Sequence, residues 1–136
     1  MVAPEIIAIP KWQVRTGWVL SGLPLIAFLP SATFKLAQPG EFLTQWSKNY
    51  PPATARPLGI IELFCVTLYF VPATRVLGAI LLTGYLGGAV ATHVHSGEAV
   101  FVVPVLVGVM LWGGLFLRDA RLRQLLPTTK ESNSRR

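Results

Sequence analysis

Cysteine is almost missing from this chain. Cys65 is the only one, so neither an intramolecular disulfide nor a Cys-x-x-Cys redox pair can form within a single copy. Acid is scarce as well, with six Asp and Glu against twelve Lys and Arg. Charged residues make up 13% of a sequence that is 52% hydrophobic, too few to coat a water-soluble domain of 136 residues. A soluble helical core would carry a polar stripe along each helix, whereas the apolar runs here are apolar all round. The net charge of +6 does not point to nucleic acid, because the basic residues flank apolar runs and crowd the C-terminus, where topology signals belong. The composition therefore calls for an integral membrane protein whose main partner is the lipid bilayer. No nucleic-acid partner is expected. The N-terminus is expected to stay in the mature chain, since Glu5, Lys11 and Arg15 precede the first apolar run and no short apolar core ends in a cleavage site.

What the chain does have is uncharged length. Leu77 to Val94 contains no Asp, Glu, Lys or Arg, enough for a helix of about 20 residues to cross a hydrocarbon core about 30 Å thick. Gly84, Gly88 and Ala91 form a small-xxx-small row on this segment. That row predicts close approach of another helix and a central place in the bundle. Gly17 to Phe34 is a second uncharged run, with Trp18 suited to the interfacial aromatic belt and Pro24 and Pro30 expected to bend it. Met1 to Arg15, interrupted by Pro4 and Pro10, reads as a tail. Leu58 to Val71 is short for a crossing, but the tight Pro72-Ala73-Thr74-Arg75 turn pairs it with the following span. Ala99 to Leu117 is the last span, and Arg118, Arg121 and Arg123 open a basic tail. Between the first two spans, Phe42, Leu43, Trp46 and Tyr50 recur at helical spacing, with Gln45, Ser47 and Lys48 on the other side. This predicts a short interfacial helix that caps one mouth of the bundle.

The reading is all-α: a four-helix transmembrane bundle with a short interfacial helix, one membrane domain over 1–136, spans at about 17–35, 57–71, 76–95 and 99–117, and a basic tail over 118–136. Nine Lys and Arg fall with the termini and three (Lys35, Lys48, Arg56) at the other end, which predicts cytoplasmic termini.

That topology gathers the sparse polar residues at one end. Lys35 closes span one, Glu62 lies about one turn into span two, and Thr92, His93 and His95 close span three. Glu62 is the only acid inside a span, so it needs a partner or a proton. Lys35, His93 and His95 are the candidate partners, and Tyr85 is a possible hydroxyl donor. One reading is a polar cluster that only staples helices together. A sharper one is a Glu62/His93 acid-base pair in a cavity between helices, with Lys35, Tyr85, Thr92 and His95 as ligand-binding groups. A metal held by His93, His95, Glu62 and Glu98 is a third, but residues two apart on a helix diverge by about 200°, and no metal is expected. Cys65 reads as a small core residue, and Tyr50 and Tyr69 as interfacial anchors.

Several of these segments together resemble the DoxX-like family of small bacterial membrane proteins. They are Phe34-Lys35-Leu36, Gly59-Ile60-Ile61-Glu62-Leu63, Pro72-x-x-Arg75-x-Leu77-Gly78-Ala79 and Gly84-Tyr85-Leu86-Gly87-Gly88-Ala89-Val90-Ala91-Thr92-His93. The resemblance covers about Gly17 to Asp119. It implies a four-helix bundle in the bacterial inner membrane, and some relatives of the wider DoxX group are linked to quinone-coupled sulfur oxidation or to membrane redox assemblies. The expected function is binding of a lipophilic or quinone-like ligand as a component of, or accessory to, such a system with a redox partner protein. The alternative is a small membrane enzyme of isomerase or cyclase type that uses Glu62 and His93 on an apolar substrate. The residues leave open whether the chain turns over a substrate.

Overall fold

A computed structural model describes residues 8–125, and within them helices joined by short turns are the only regular secondary structure. Four stretches are long and apolar enough to cross a membrane: Lys11–Ala37, Pro52–Phe70, Arg75–His95 and Ala99–Arg118. The first is two helices, α1 (Lys11–Gly22) and α2 (Leu25–Ala37), and the short α3 (Gly40–Trp46) follows it. A 3₁₀ turn at Pro52–Thr54 leads into α4 (Ala55–Phe70), which a tight turn joins to α5 (Arg75–His95). A second 3₁₀ turn at Ala99–Phe101 opens α6 (Val102–Arg118), and α7 (Ala120–Leu125) ends the described chain.

Helix starts sooner than the prolines suggest. Pro10 sits at the N-cap of α1 and its carbonyl accepts from the amides of Gln13 and Val14, so residues 11–15, expected as tail, are helical. Proline costs little there, because its missing N–H would have had no partner in the first turn. Pro24 interrupts span one between α1 and α2, with Leu23 and Pro24 themselves still in the right-handed helical conformation, while Pro30 stays inside α2. The break separates two packing duties. α1 packs along α6, whereas α2 packs along α4; α4 then packs on α5 and α5 on α6. The four spans thus form a ring in which each has two neighbours, and none is central.

At the end carrying the described termini the helices touch backbone to backbone. A Cβ at Gly17 would lie 2.8 Å from the Gly114 carbonyl oxygen, and one at Gly114 would lie 2.5 Å from Ser21 Oγ. A Cβ at Gly78 would strike the backbone of Tyr69. Tyr69 is fully buried; its hydroxyl donates to the Leu111 carbonyl at 2.7 Å and shares a 2.8 Å bond with Ser21 Oγ. It is a core staple joining three spans, not the interfacial anchor its amphipathic type suggested. Arg118 is buried beside it, its guanidinium 4.3 Å from the Trp18 ring centre and 4.9 Å from that of Tyr69, in the attractive geometry of a cation over an aromatic face. Asp119 leaves Arg118 to its rings and pairs with Arg75 at 3.4 Å. Arg123 reaches Gln13 at 2.8 Å, joining α7 to α1.

The small-residue row on α5 does not pack as the sequence suggested. A Cβ at Gly84 or Gly88 would meet nothing within 4 Å, and Ala91 is exposed. The physical reason is the break in span one. Beyond it α2 packs along α4 and not along α6, and no helix backbone fills the space that these glycines face.

Candidate functional site

That unfilled space is a cavity of about 710 Å³ in the half of the bundle away from the termini, with Gly84 and Gly88 on its wall. Its volume falls in the range of small-molecule sites. Phe28 and Leu86 supply apolar wall, and Val103, Pro104 and Val107 of α6 close the far side. Across the mouth lies α3. Gln38 takes a left-handed conformation that ends α2, and Pro39-Gly40 starts the new helix at once. The aromatic stripe then runs as a stack: Phe34 to Phe42 at 6.3 Å, Phe42 to Trp46 at 5.5 Å, Trp46 to Tyr50 at 5.0 Å between ring centres. Phe42, Trp46 and Tyr50 line the cavity, together with Gln45 and Asn49, although Gln45 was expected on the opposite face. Trp46 Nε1 donates to Thr54 Oγ1 at 3.1 Å, fixing α3 to the segment that opens α4. Tyr50 hydrogen-bonds Thr92 on α5, so it closes the roof of the cavity instead of anchoring to the membrane surface alone.

On the inner wall Glu62 is almost wholly buried, and one of its oxygens gathers the network. Lys35 Nζ donates to Glu62 Oε2 at 2.8 Å, Tyr85 Oη donates to the same oxygen at 2.9 Å, and Ser31 Oγ donates to it at 3.3 Å. Lys35 also donates to Tyr85 Oη at 2.8 Å and to Ser31 Oγ at 2.5 Å. A carboxylate at this depth is tolerable only because a cation and two hydroxyls replace its water. Gly59 makes the pairing possible. A Cβ there would lie 2.9 Å from Lys35 Cβ, so the missing side chain lets α4 approach α2 one turn before Glu62. Ser31, one turn before Lys35 on the same face of α2, is a member that the sequence reading missed; its i, i+4 relation to Lys35 was the available signal.

The sequence-derived site residues thus divide. Lys35, Glu62 and Tyr85 form one hydrogen-bonded unit on the cavity wall, and Thr92 and His93 line the cavity nearer its mouth. His93 is not bonded to Glu62: its Nδ1 lies 2.7 Å from Glu98 Oε2, across the turn that begins at Ser96. His95 is exposed and is not part of the wall. Among the described residues no three His, Cys, Asp or Glu side chains converge as a metal site, because Glu62 is bound to Lys35 while His93 is bound to Glu98. Cys65 is buried in the apolar core.

Fold and site together define a small polytopic membrane protein with a largely apolar cavity in one half of its bundle and a polar network on one wall of it. Residues 19–114 match the DoxX-like family, and the chain belongs to that family. No curated protein matches it, and no solved structure does.

Proposed function

We propose that this protein binds a lipophilic molecule with a compact polar, quinone-like ring head, held between α2, α4, α5 and α6 beneath the α3 cap, as a component of or accessory to a membrane redox system. The observation that carries this reading is the placement of the Lys35–Glu62–Tyr85 network on the wall of a cavity that is otherwise apolar and aromatic. A structural ion pair needs no space beside it. Here Gly84 and Gly88 keep side chains out of the space facing the network, and Phe42, Trp46 and Tyr50 offer ring faces on which a flat head can stack. The membrane is the bacterial inner membrane, with the basic terminal end in the cytoplasm and the cavity in the outer half.

The test is extraction of the purified protein with its lipids, followed by mass spectrometry. An enriched ring-bearing lipid, and a rise in unfolding temperature on adding a short-chain quinone, are expected. Absence of both counts against the reading. Orientation is checked separately in a Cys65→Ala background: a cysteine at Gln45 should react with an impermeant thiol reagent in intact cells.

A second reading, a small enzyme of isomerase or cyclase type, is supported by the fact that Glu62 and His93 line one cavity without being bonded to each other. An apolar substrate lying between them would meet an acid-base group on each side.

A further inference from the structure

The polar network has a one-sided hydrogen-bonding valence. An ammonium has three N–H donors, and those of Lys35 are directed at Ser31 Oγ, Glu62 Oε2 and Tyr85 Oη. The single O–H of Tyr85 goes to Glu62 Oε2, and so does that of Ser31. All five donors are therefore consumed inside the network, and three of them converge on one carboxylate oxygen. The other oxygen, Oε1, accepts no hydrogen bond from the described residues. Glu62 nevertheless lines the cavity, with about 1% of its side chain exposed there. Oε1, which shares the carboxylate's negative charge, is therefore the one acceptor of this network left for a group in the cavity.

We infer that the inner wall selects a lipophilic molecule whose head donates a hydrogen bond, a phenol or hydroquinone hydroxyl, over the same molecule presenting only a carbonyl or ether oxygen. This rests on the cavity-binding reading above and sharpens it: of the two redox forms of a ring head, the reduced one fits. A carbonyl placed against Oε1 would set two acceptors face to face, with no donor left in the network to relieve them. A hydroxyl placed there supplies the hydrogen bond that the carboxylate lacks, and hydrogen bonds to charged groups are the stronger kind.

The test uses a redox-inert pair, 4-octylphenol and 4-octylanisole, which differ by one methyl group on the head oxygen. Apparent Kd is read from the rise in unfolding temperature of the full-length protein at fixed detergent concentration, with Gly88→Leu as a filled-cavity control for micelle effects. The wild type should bind the phenol about tenfold more tightly or better. Glu62→Gln should close or reverse that gap. Its amide oxygen would take over Lys35, Tyr85 and Ser31, turning the NH₂ group towards the cavity as a donor. Should Glu62→Gln not fold, Tyr85→Phe serves in its place, since it frees one Lys35 N–H for an acceptor head and should narrow the preference. Equal binding of phenol and anisole by the wild type overturns the donor-head inference and leaves the cavity reading standing. Binding of neither overturns both. A phenol preference undiminished in both Glu62→Gln and Tyr85→Phe overturns the assignment to Glu62 Oε1.

Discussion

The two halves of the bundle use the same residue types to opposite ends. In the terminal half, Gly17, Gly78 and Gly114 are contact points at which a neighbouring backbone occupies the place of a side chain. In the other half, Gly84 and Gly88 face open space. Tyrosine divides likewise. Tyr69 spends its hydroxyl on Ser21 and a backbone carbonyl in a sealed core, whereas Tyr85 spends its own on an ion pair beside a cavity. The two buried cations differ as well: Arg118 is held by ring faces with no carboxylate, and Lys35 by a carboxylate and two hydroxyls. One interruption of the helical backbone separates these environments. The break at Leu23-Pro24 ends the contact of span one with α6 and starts its contact with α4, so the terminal half closes on itself while the other half is left apart and capped by α3. A cavity in a small bundle thus needs no larger helices, only one span that changes partner halfway.

Substitutions in the two halves should break this contrast in a definite order. The largest effect is expected from Gly78→Leu, which drives a side chain into the Tyr69 backbone where nothing can yield. A loss of about 5 kcal/mol, seen as little folded protein recovered in detergent, is expected of so severe an overpacking. Lys35→Met comes next. It leaves the Glu62 carboxylate buried without its cation, a change worth about 3–5 kcal/mol in thermal or chemical unfolding. Glu62→Ala in the Lys35→Met background should cost much less than Glu62→Ala alone, and strict additivity in that double-mutant cycle would disprove the coupling. Tyr69→Phe should follow at about 1–3 kcal/mol, since it removes two buried hydrogen bonds and strands the Ser21 hydroxyl while keeping the ring under Arg118. Ligand retention should survive Tyr69→Phe and fail in Lys35→Met, because only the second change touches the cavity wall.

Much of the fold is legible in the residues, since span length and charge depletion are properties of one segment at a time. The four spans, the interfacial helix and the need of Glu62 for a partner can each be read without knowing what lies beside them. What could not be read is pairwise. A glycine at i, i+4 spacing marks a place where a helix backbone can approach, but whether one does depends on the path of another span, set here by Pro24. The Gly84/Gly88 row thus reads as a seam when it is a cavity wall, while Gly17 and Ser21, also four apart, do meet Gly114, so the spacing alone does not tell a seam from a wall. Tyr69 passed for an anchor for the same reason, because its partners Ser21 and Leu111 lie in two other spans. His93 was drawn towards Glu62 by shared depth, yet Glu98, five residues along, claims it through the turn at Gly97, whose positive φ of 71° suits glycine.

The smallest effect on stability should come from Gly88→Leu, and it is the most informative about the contrast. If this row were a packing seam, a leucine would force two helices apart and cost as much as Gly78→Leu. With no atom within 4 Å of its Cβ and a cavity of about 710 Å³ in front of it, the side chain should instead lie in free space, bury apolar surface and shift unfolding by no more than about 1 kcal/mol in either direction. Leucine also relieves the conformational freedom that glycine gives the unfolded chain, which offsets part of any local crowding. The same side chain would stand in the volume a ligand needs. A folded, thermally normal protein that no longer retains lipid or responds to added ring compounds is therefore expected. Unfolding by several kcal/mol would show that α5 is packed on this face. Full retention of ligand in a stable Gly88→Leu protein would place the bound molecule elsewhere, and the space before Gly84 and Gly88 would then be only a gap left by a span that changes partner.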